Sequence, residues 1–207
     1  HPSYKYIPAV KEDRFRASLA ELRERGDVVP GPRRTQDRLT ESFASPTATG
    51  GFENTPDSDP DLPGNRVWGR EITTVMQANE LGLAAIEAAS VTTEEQLNGI
   101  VDAAVAAAPA WRALGAERRA QILGRAGDML SARRADLIAV MGLETGKTLD
   151  QGDPEVSEAI DFAHYYAQLG VELEQVEGAT AVPVDLVVVT PPWNFPVAIP
   201  AGSTLSA

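Results

Sequence analysis

Asn194 stands between Trp193 and Phe195 in the stretch "VVVTPPWNFPVAIP", with prolines at 191, 192 and 196 around it. Proline fixes φ and carries no N–H, so this loop is stiff and short of backbone donors. The Asn194 amide therefore offers its N–H groups from a nearly fixed place. Two roles fit it. Asn is a good N-cap, and "FPVAIPAGSTLSA" reads as the start of a helix. Alternatively, the amide points outward as a donor to an oxyanion developing in a rigid, dry site. The residues alone leave both roles open.

A second group with chemical potential is acidic. Glu155, Glu158 and Asp161 recur at three-residue spacing and share one side of a helix. Such a row near a helix N-terminus is ordinarily a solvated face, favoured by the helix dipole. Glu158, however, shares its stripe with Phe162 and Tyr165, and a carboxylate beside aromatics can hold the ammonium group of an amino-acid substrate. "GLETGKT" (142–148) resembles a phosphate loop only superficially. Three residues rather than four separate its glycines, and a helix rather than a strand precedes it, so a helix ending at Gly146 is the better expectation. His164 has no partner at metal-ligand spacing, and no metal site is expected. The chain contains no cysteine, which excludes disulfides, thiolate metal sites and a cysteine nucleophile within these residues.

The elements that must position these groups are mostly helical. Phe15, Leu19 and Leu22 set a helix over about 12–26. From 33 to 63 the chain is rich in Ser, Thr, Pro, Gly and Asp without a period. It reads as a connector draped on a surface through Phe43, Phe52 and Leu62. Thr92 and Glu95 form a capping box for a helix whose apolar face is Leu97, Ile100, Val101, Ala104, Val105 and Ala108, ending or kinking at Pro109. Further helices are expected over about 116–130 and 131–142, and a fourth from Asp153-Pro154. A strand then comes at "VPVDLVVVT"; its unbroken apolar run predicts burial on both faces, as in a parallel sheet. A helical layer followed by strand, loop and helix is the opening of an α/β domain, and ligands of such folds lie beyond the carboxyl ends of strands.

Bulk properties narrow the function classes. The 207 residues carry a net charge of −12, which argues against nucleic-acid binding. Residues 1–38 hold nine of the eighteen Lys and Arg against six acids, leaving the rest near −15. The basic residues alternate with acids in "KEDRFRASLAELRER", as on a solvated helix face. No apolar run is long enough to span a bilayer. Because the chain opens on His1 and stops at Ala207 within an expected helix, a piece of a longer polypeptide is expected.

"PWNFP" after an apolar strand, preceded by "APAWRALGAERRAQILGRAGDML" and "ETGKTLDQGDPEVSEAIDFAHYYA", closely resembles the N-terminal part of aldehyde dehydrogenases over about residues 76–207. "GFENTPDSDPDLPGNRVWGREI" further resembles the segment joining the two enzymes of the proline utilization A family. There an FAD-dependent proline dehydrogenase precedes a dehydrogenase that oxidises L-glutamate γ-semialdehyde with NAD⁺. The resemblance implies a fold class of α/β type: the helical layer and first strand–loop–helix of a truncated Rossmann-type NAD-binding domain over 64–207. Residues 1–63 would be a helical or irregular connector, or the tail of the proline dehydrogenase module. It implies that Asn194 is the oxyanion-hole amide. On the same resemblance, Pro191, Pro192, Trp193 and Asn194 would line the nicotinamide end of NAD⁺, Phe195 would pack on the aliphatic part of the substrate, and Glu158 would lie near its amino group.

The nucleophilic Cys and general-base Glu of the family are expected beyond Ala207, so the 207 residues alone are expected to be inactive. The short link from Gly178 to Val182 leaves little room for the hairpin through which many family members oligomerise. The implied partners are the semialdehyde and the remainder of the parent polypeptide, in the cytoplasm or peripheral to a membrane. Two other functions compete: an aldehyde dehydrogenase of another substrate class, and a non-catalytic helical interaction module.

Overall fold

The computed structural model describes residues 6–26, 34, 36–41, 52–77 and 80–207. The chain divides into two compact units, 1–33 and 34–207. The first contains helix α1 (Tyr6–Glu24), which begins earlier than its apolar spacing predicts. Its surface is laced by the i,i+4 pairs Glu12–Arg16 (2.6 Å) and Glu21–Arg25 (2.5 Å), while Phe15 and Leu22 stay exposed.

The second unit carries α2 (Pro63–Gln77), α3 (Leu83–Ala89), α4 (Glu94–Ala113), α5 (Gly115–Ala132), α6 (Arg134–Thr145), α7 (Leu149–Glu174) and α8 (Ala198–Ser206). Several starts differ from the sequence expectation by a few residues, each for a local reason. The capping box of α4 is Thr93 with Gln96, one residue later than Thr92 with Glu95. The Gln96 side-chain oxygen accepts from both the Thr92 and Thr93 N–H groups (2.9 and 3.1 Å), a bridge the expected frame could not make. Pro109 lies inside α4 and does not end it. α7 starts at Leu149 rather than Asp153, because Thr148 and Gln151 form a capping box first and place Pro154 within the second turn. α6 does end as expected, at a left-handed Gly146 (φ 71°) whose N–H donates to the Gly142 carbonyl at 3.1 Å.

The core sits where α2, α6 and α7 meet. Ile72, Ile138, Ala139, Met141, Val156 and Ile160 form one buried cluster, with Trp68, Met76, Leu149 and Val197 against its edge. On α7 the buried series Ala159, Ala163 and Ala167 keeps one face low. Gly127 of α5 meets it there: a Cβ at this glycine would lie only 3.1 Å from that of Ala163. Small residues on both helices thus set how closely α5 and α7 approach.

Of the expected anchors of the connector, Phe52 is seen to meet α7, edge-on to Tyr165 with centroids 5.1 Å apart. Phe43 lies outside the described residues. The docking is chiefly polar. Thr55 N–H and the Asn54 amide donate to Asp161 (both 2.7 Å), and Ser58 donates from its backbone and hydroxyl to Asp153 (2.6 and 2.8 Å). Arg38 donates to the Ser58 hydroxyl at 2.7 Å, and Asn65 of α2 accepts from Arg38 N–H at 2.8 Å.

Residues 182–190 do not form the expected strand; among the described residues no strand is present. A strand exists only through hydrogen bonds to a neighbour, and among the described residues this segment has none to pair with. Its side chains are accordingly open to solvent, Val182 at 87% and Val188 at 76%. Asp185 pairs with Arg112 of α4 and ties the segment to the helices. Among the described residues no helix is long and apolar enough to cross a membrane.

Candidate active-site segment

α8 begins at Ala198 with Val197 at its N-cap position, four residues after Asn194. Neither Pro196 nor Val197 can accept a hydrogen bond through its side chain, so the first N–H groups of α8 need another acceptor. It comes from α7. The Glu155 carboxylate accepts from the Val197 and Ala198 N–H groups at 2.8 and 3.1 Å. A negative charge at a helix N-terminus also complements the helix dipole. Asn194 is therefore not the cap of this helix, which corrects its expected place at the helix start. Its side chain is exposed and has no hydrogen-bond partner among the described residues.

Glu155 does more than cap. Its side chain is only 1% exposed, and its second oxygen pairs with the Lys147 ammonium. That ammonium lies over the Phe195 ring, 4.2 Å from the centroid, a cation–π contact. One buried carboxylate thus connects α7, the turn before it, the Asn194–Phe195 loop and α8. This overturns the solvated-face expectation for Glu155. The three acids do not form one surface, because α7 is covered on several sides. Glu155 is buried, Asp161 is half-buried under the connector and Glu158 alone is exposed. Among the described residues Glu158 has no hydrogen-bond or ion-pair partner. A missing cap residue before α8 was the available signal for Glu155, because a helix without its own cap must borrow one.

Beside this cluster lies a second buried ion pair. Arg134 donates to the Asp153 carboxylate at 2.7 Å and to the Ser157 hydroxyl at 3.0 Å, with the Arg134 and Asp153 side chains only 4% and 7% exposed. Burial lowers the Arg134 pKa from its ordinary value, and the Asp153 charge opposes that shift. Since Asp153 also receives Ser58, this pair joins α6, α7 and the connector.

Pro191, Pro192 and Trp193 are exposed, Trp193 at 77%. They present carbonyls and an indole but scarcely any backbone donors. That surface suits one wall against a flat heteroaromatic ring and does not suit a phosphate, which needs convergent N–H groups. His164 has its Nε2 3.7 Å from Asp128 of α5. Among the described residues no three His, Asp or Glu side chains are placed to hold a metal ion. A shallow hollow of about 200 Å³ between α7 and α8, lined by Phe162, Tyr166, Ile199, Gly202, Ser203 and Ser206, includes none of the sequence-predicted site residues.

A helical layer followed by an exposed, proline-stiffened "PWNFP" loop has a clear set of relatives. The chain belongs to the aldehyde dehydrogenase family, whose pattern matches residues 70–207. It is 38% identical to the bifunctional protein PutA of Salmonella typhimurium strain LT2 over 115 residues, covering 56% of this chain and 9% of that protein. It is 33% identical to 1-pyrroline-5-carboxylate dehydrogenase 2 of Bacillus subtilis strain 168 over 127 residues, covering 56% of this chain and 25% of that enzyme. Among solved structures, proline utilization A from Corynebacterium freiburgense is similar over 95% of this chain and 18% of its own, with 33% identity and a TM-score of 0.52. The chain therefore spans a quarter or less of the length of these relatives.

Proposed function

We propose that this chain is part of an NAD⁺-dependent dehydrogenase that oxidises L-glutamate γ-semialdehyde to glutamate in proline catabolism. It would sit within a bifunctional polypeptide whose preceding module is an FAD-dependent proline dehydrogenase. In this reading residues 64–207 open the NAD-binding domain and residues 1–63 lead in from the preceding module. The family membership and the names of its relatives support the reaction class. The observation that carries the site is Asn194: an amide without a partner among the described residues, on a loop held by prolines in front and by buried Glu155 behind.

The division of labour follows from residue chemistry. Asn194 donates to the oxygen of the aldehyde as a thiolate from elsewhere in the polypeptide adds to its carbon. Pro191, Pro192, Trp193 and Asn194 are the residues that would hold the nicotinamide ring. When bound, NAD⁺ accepts the hydride that leaves the substrate carbon. Phe195 offers its ring to the aliphatic chain of the substrate, and exposed Glu158 attracts its ammonium group. No residue of this segment binds FAD in this reading.

Kinetics of the full-length enzyme test the assignments. Asn194→Ala should lower kcat by about 10²–10³ with NAD⁺ affinity little changed. Turnover within about threefold of wild type would remove Asn194 from the reaction. Glu158→Ala should raise KM for the semialdehyde more than for an aldehyde without an amino group; equal shifts return Glu158 to a solvated surface. The isolated 207-residue chain, which has no thiol, should produce no NADH from aldehyde. Aldehyde-dependent NADH formation by that chain would overturn the mechanism.

A further inference from the structure

We propose that Glu155 is a positioning residue for the aldehyde reaction, acting through the loop that carries Asn194 and Phe195. The inference rests on the oxyanion role assigned to Asn194 above. Three contacts converge on the one carboxylate: Val197 N–H at 2.8 Å, Ala198 N–H at 3.1 Å, and the Lys147 ammonium. The first two fix where α8 begins, and hence the far end of the Asn194 loop. The third places a cation against the face of Phe195. The near end of the loop is already stiff through Pro191 and Pro192.

The carboxylate itself is held from behind. Glu155 lies next to Val156, which is fully buried in the core cluster, and two residues from Asp153, which Arg134 clamps. A donor that stabilises a developing charge must be preorganised, because reorientation during the reaction cancels its benefit. Asn194 has no partner among the described residues to orient it, so the aim of its amide depends on the backbone on either side. Glu155 anchors one of those sides from a buried position. Capping from another helix also explains why "FPVAIP" contains no cap residue: a Ser or Asp at 197 would satisfy α8 locally and leave the loop unconnected to α7.

The test compares Glu155→Ala, Glu155→Gln, Asn194→Ala and the Glu155→Ala/Asn194→Ala double variant in the full-length enzyme, each checked for folding by circular dichroism. Glu155→Ala should lower kcat for the semialdehyde by about 10- to 100-fold, the scale of a small misplacement of catalytic geometry. KM for NAD⁺ should move by less than about twofold on the same principle. Glu155→Gln keeps an acceptor for the α8 N–H groups and should recover most of the lost turnover. The double variant should be slower than Asn194→Ala by much less than the Glu155→Ala loss, since most of what Glu155 contributes passes through Asn194.

Glu155→Ala leaves Lys147 without its partner and can fail to fold. Lys147→Met/Glu155→Leu, which leaves no unpaired buried charge, then carries the measurement and should show the same loss of kcat. Wild-type turnover in either variant overturns the proposal, as does a double variant in which the two losses multiply. A slow Asn194→Ala beside a fast Glu155→Ala removes the role of Glu155 alone. An unimpaired Asn194→Ala removes instead the reading beneath it.

Discussion

The junction of α6, α7 and α8 and the stretch 182–193 are both rich in apolar and aromatic residues, yet they use them in opposite ways. At the junction, Ile138, Met141 and Val156 are fully buried, and the charged groups among them are paired. In the stretch, Val182, Val184, Val188 and Trp193 face solvent, and the Asp185–Arg112 pair is its tie to α4. The difference is one of hydrogen-bond supply. A helix satisfies its own backbone and needs only a side-chain contact to bury a face, whereas an extended segment must find neighbouring strands before burial is possible.

The comparison is broken most severely at the buried ion pair. Asp153→Ala should cost about 3–5 kcal/mol, because Arg134 keeps its charge in a buried site with its main partner gone. Urea unfolding of the 34–207 unit measures it, and a loss below about 1 kcal/mol would show that the pair does not anchor the junction. A smaller effect is expected at the α7–α8 contact. A Cβ at Gly202 would lie 2.5 Å from the Phe162 ring, which stacks on Tyr166 with centroids 5.6 Å apart. Gly202→Ala should therefore destabilise by about 1–3 kcal/mol through overpacking. A neutral result in the same assay would mean that the two rings yield together.

The smallest effect belongs to the open stretch. Val188→Thr in this chain should change stability by less than about 0.5 kcal/mol, as at other exposed positions. In the full-length enzyme, where the proposed sheet covers this residue, the same substitution should cost about 1–3 kcal/mol for a buried hydroxyl. Equal small effects in both settings would mean that Val188 stays exposed, and the strand expectation for 182–190 would fall with it.

Local rules made much of this protein legible from its sequence. A left-handed Gly146 ends α6, and Phe52 anchors the connector, because a glycine turn and an aromatic without a helical period need no distant information. The "PWNFP" loop is readable for the same reason: proline stiffness is a property of the residue itself. Even the errors of register were local, as where Thr93 with Gln96 prevailed over Thr92 with Glu95 in a run offering both frames.

What the sequence could not decide was which of three similar acids on α7 turns inward. Glu155, Glu158 and Asp161 have the same chemistry and nearly the same helical face. Glu155 became buried because α8 starts without a cap and Lys147 stands opposite. Asp161 became half-buried because residues 54 and 55 cross it, and Glu158 met neither and stayed in solvent. The partners that separate the three lie 8 to 107 residues away along the chain. Periodicity records only which way a side chain faces from its own helix. Whether a helix N-terminus, a lysine or a connector occupies that direction is settled when the elements pack, and the burial of a charge follows from that packing alone.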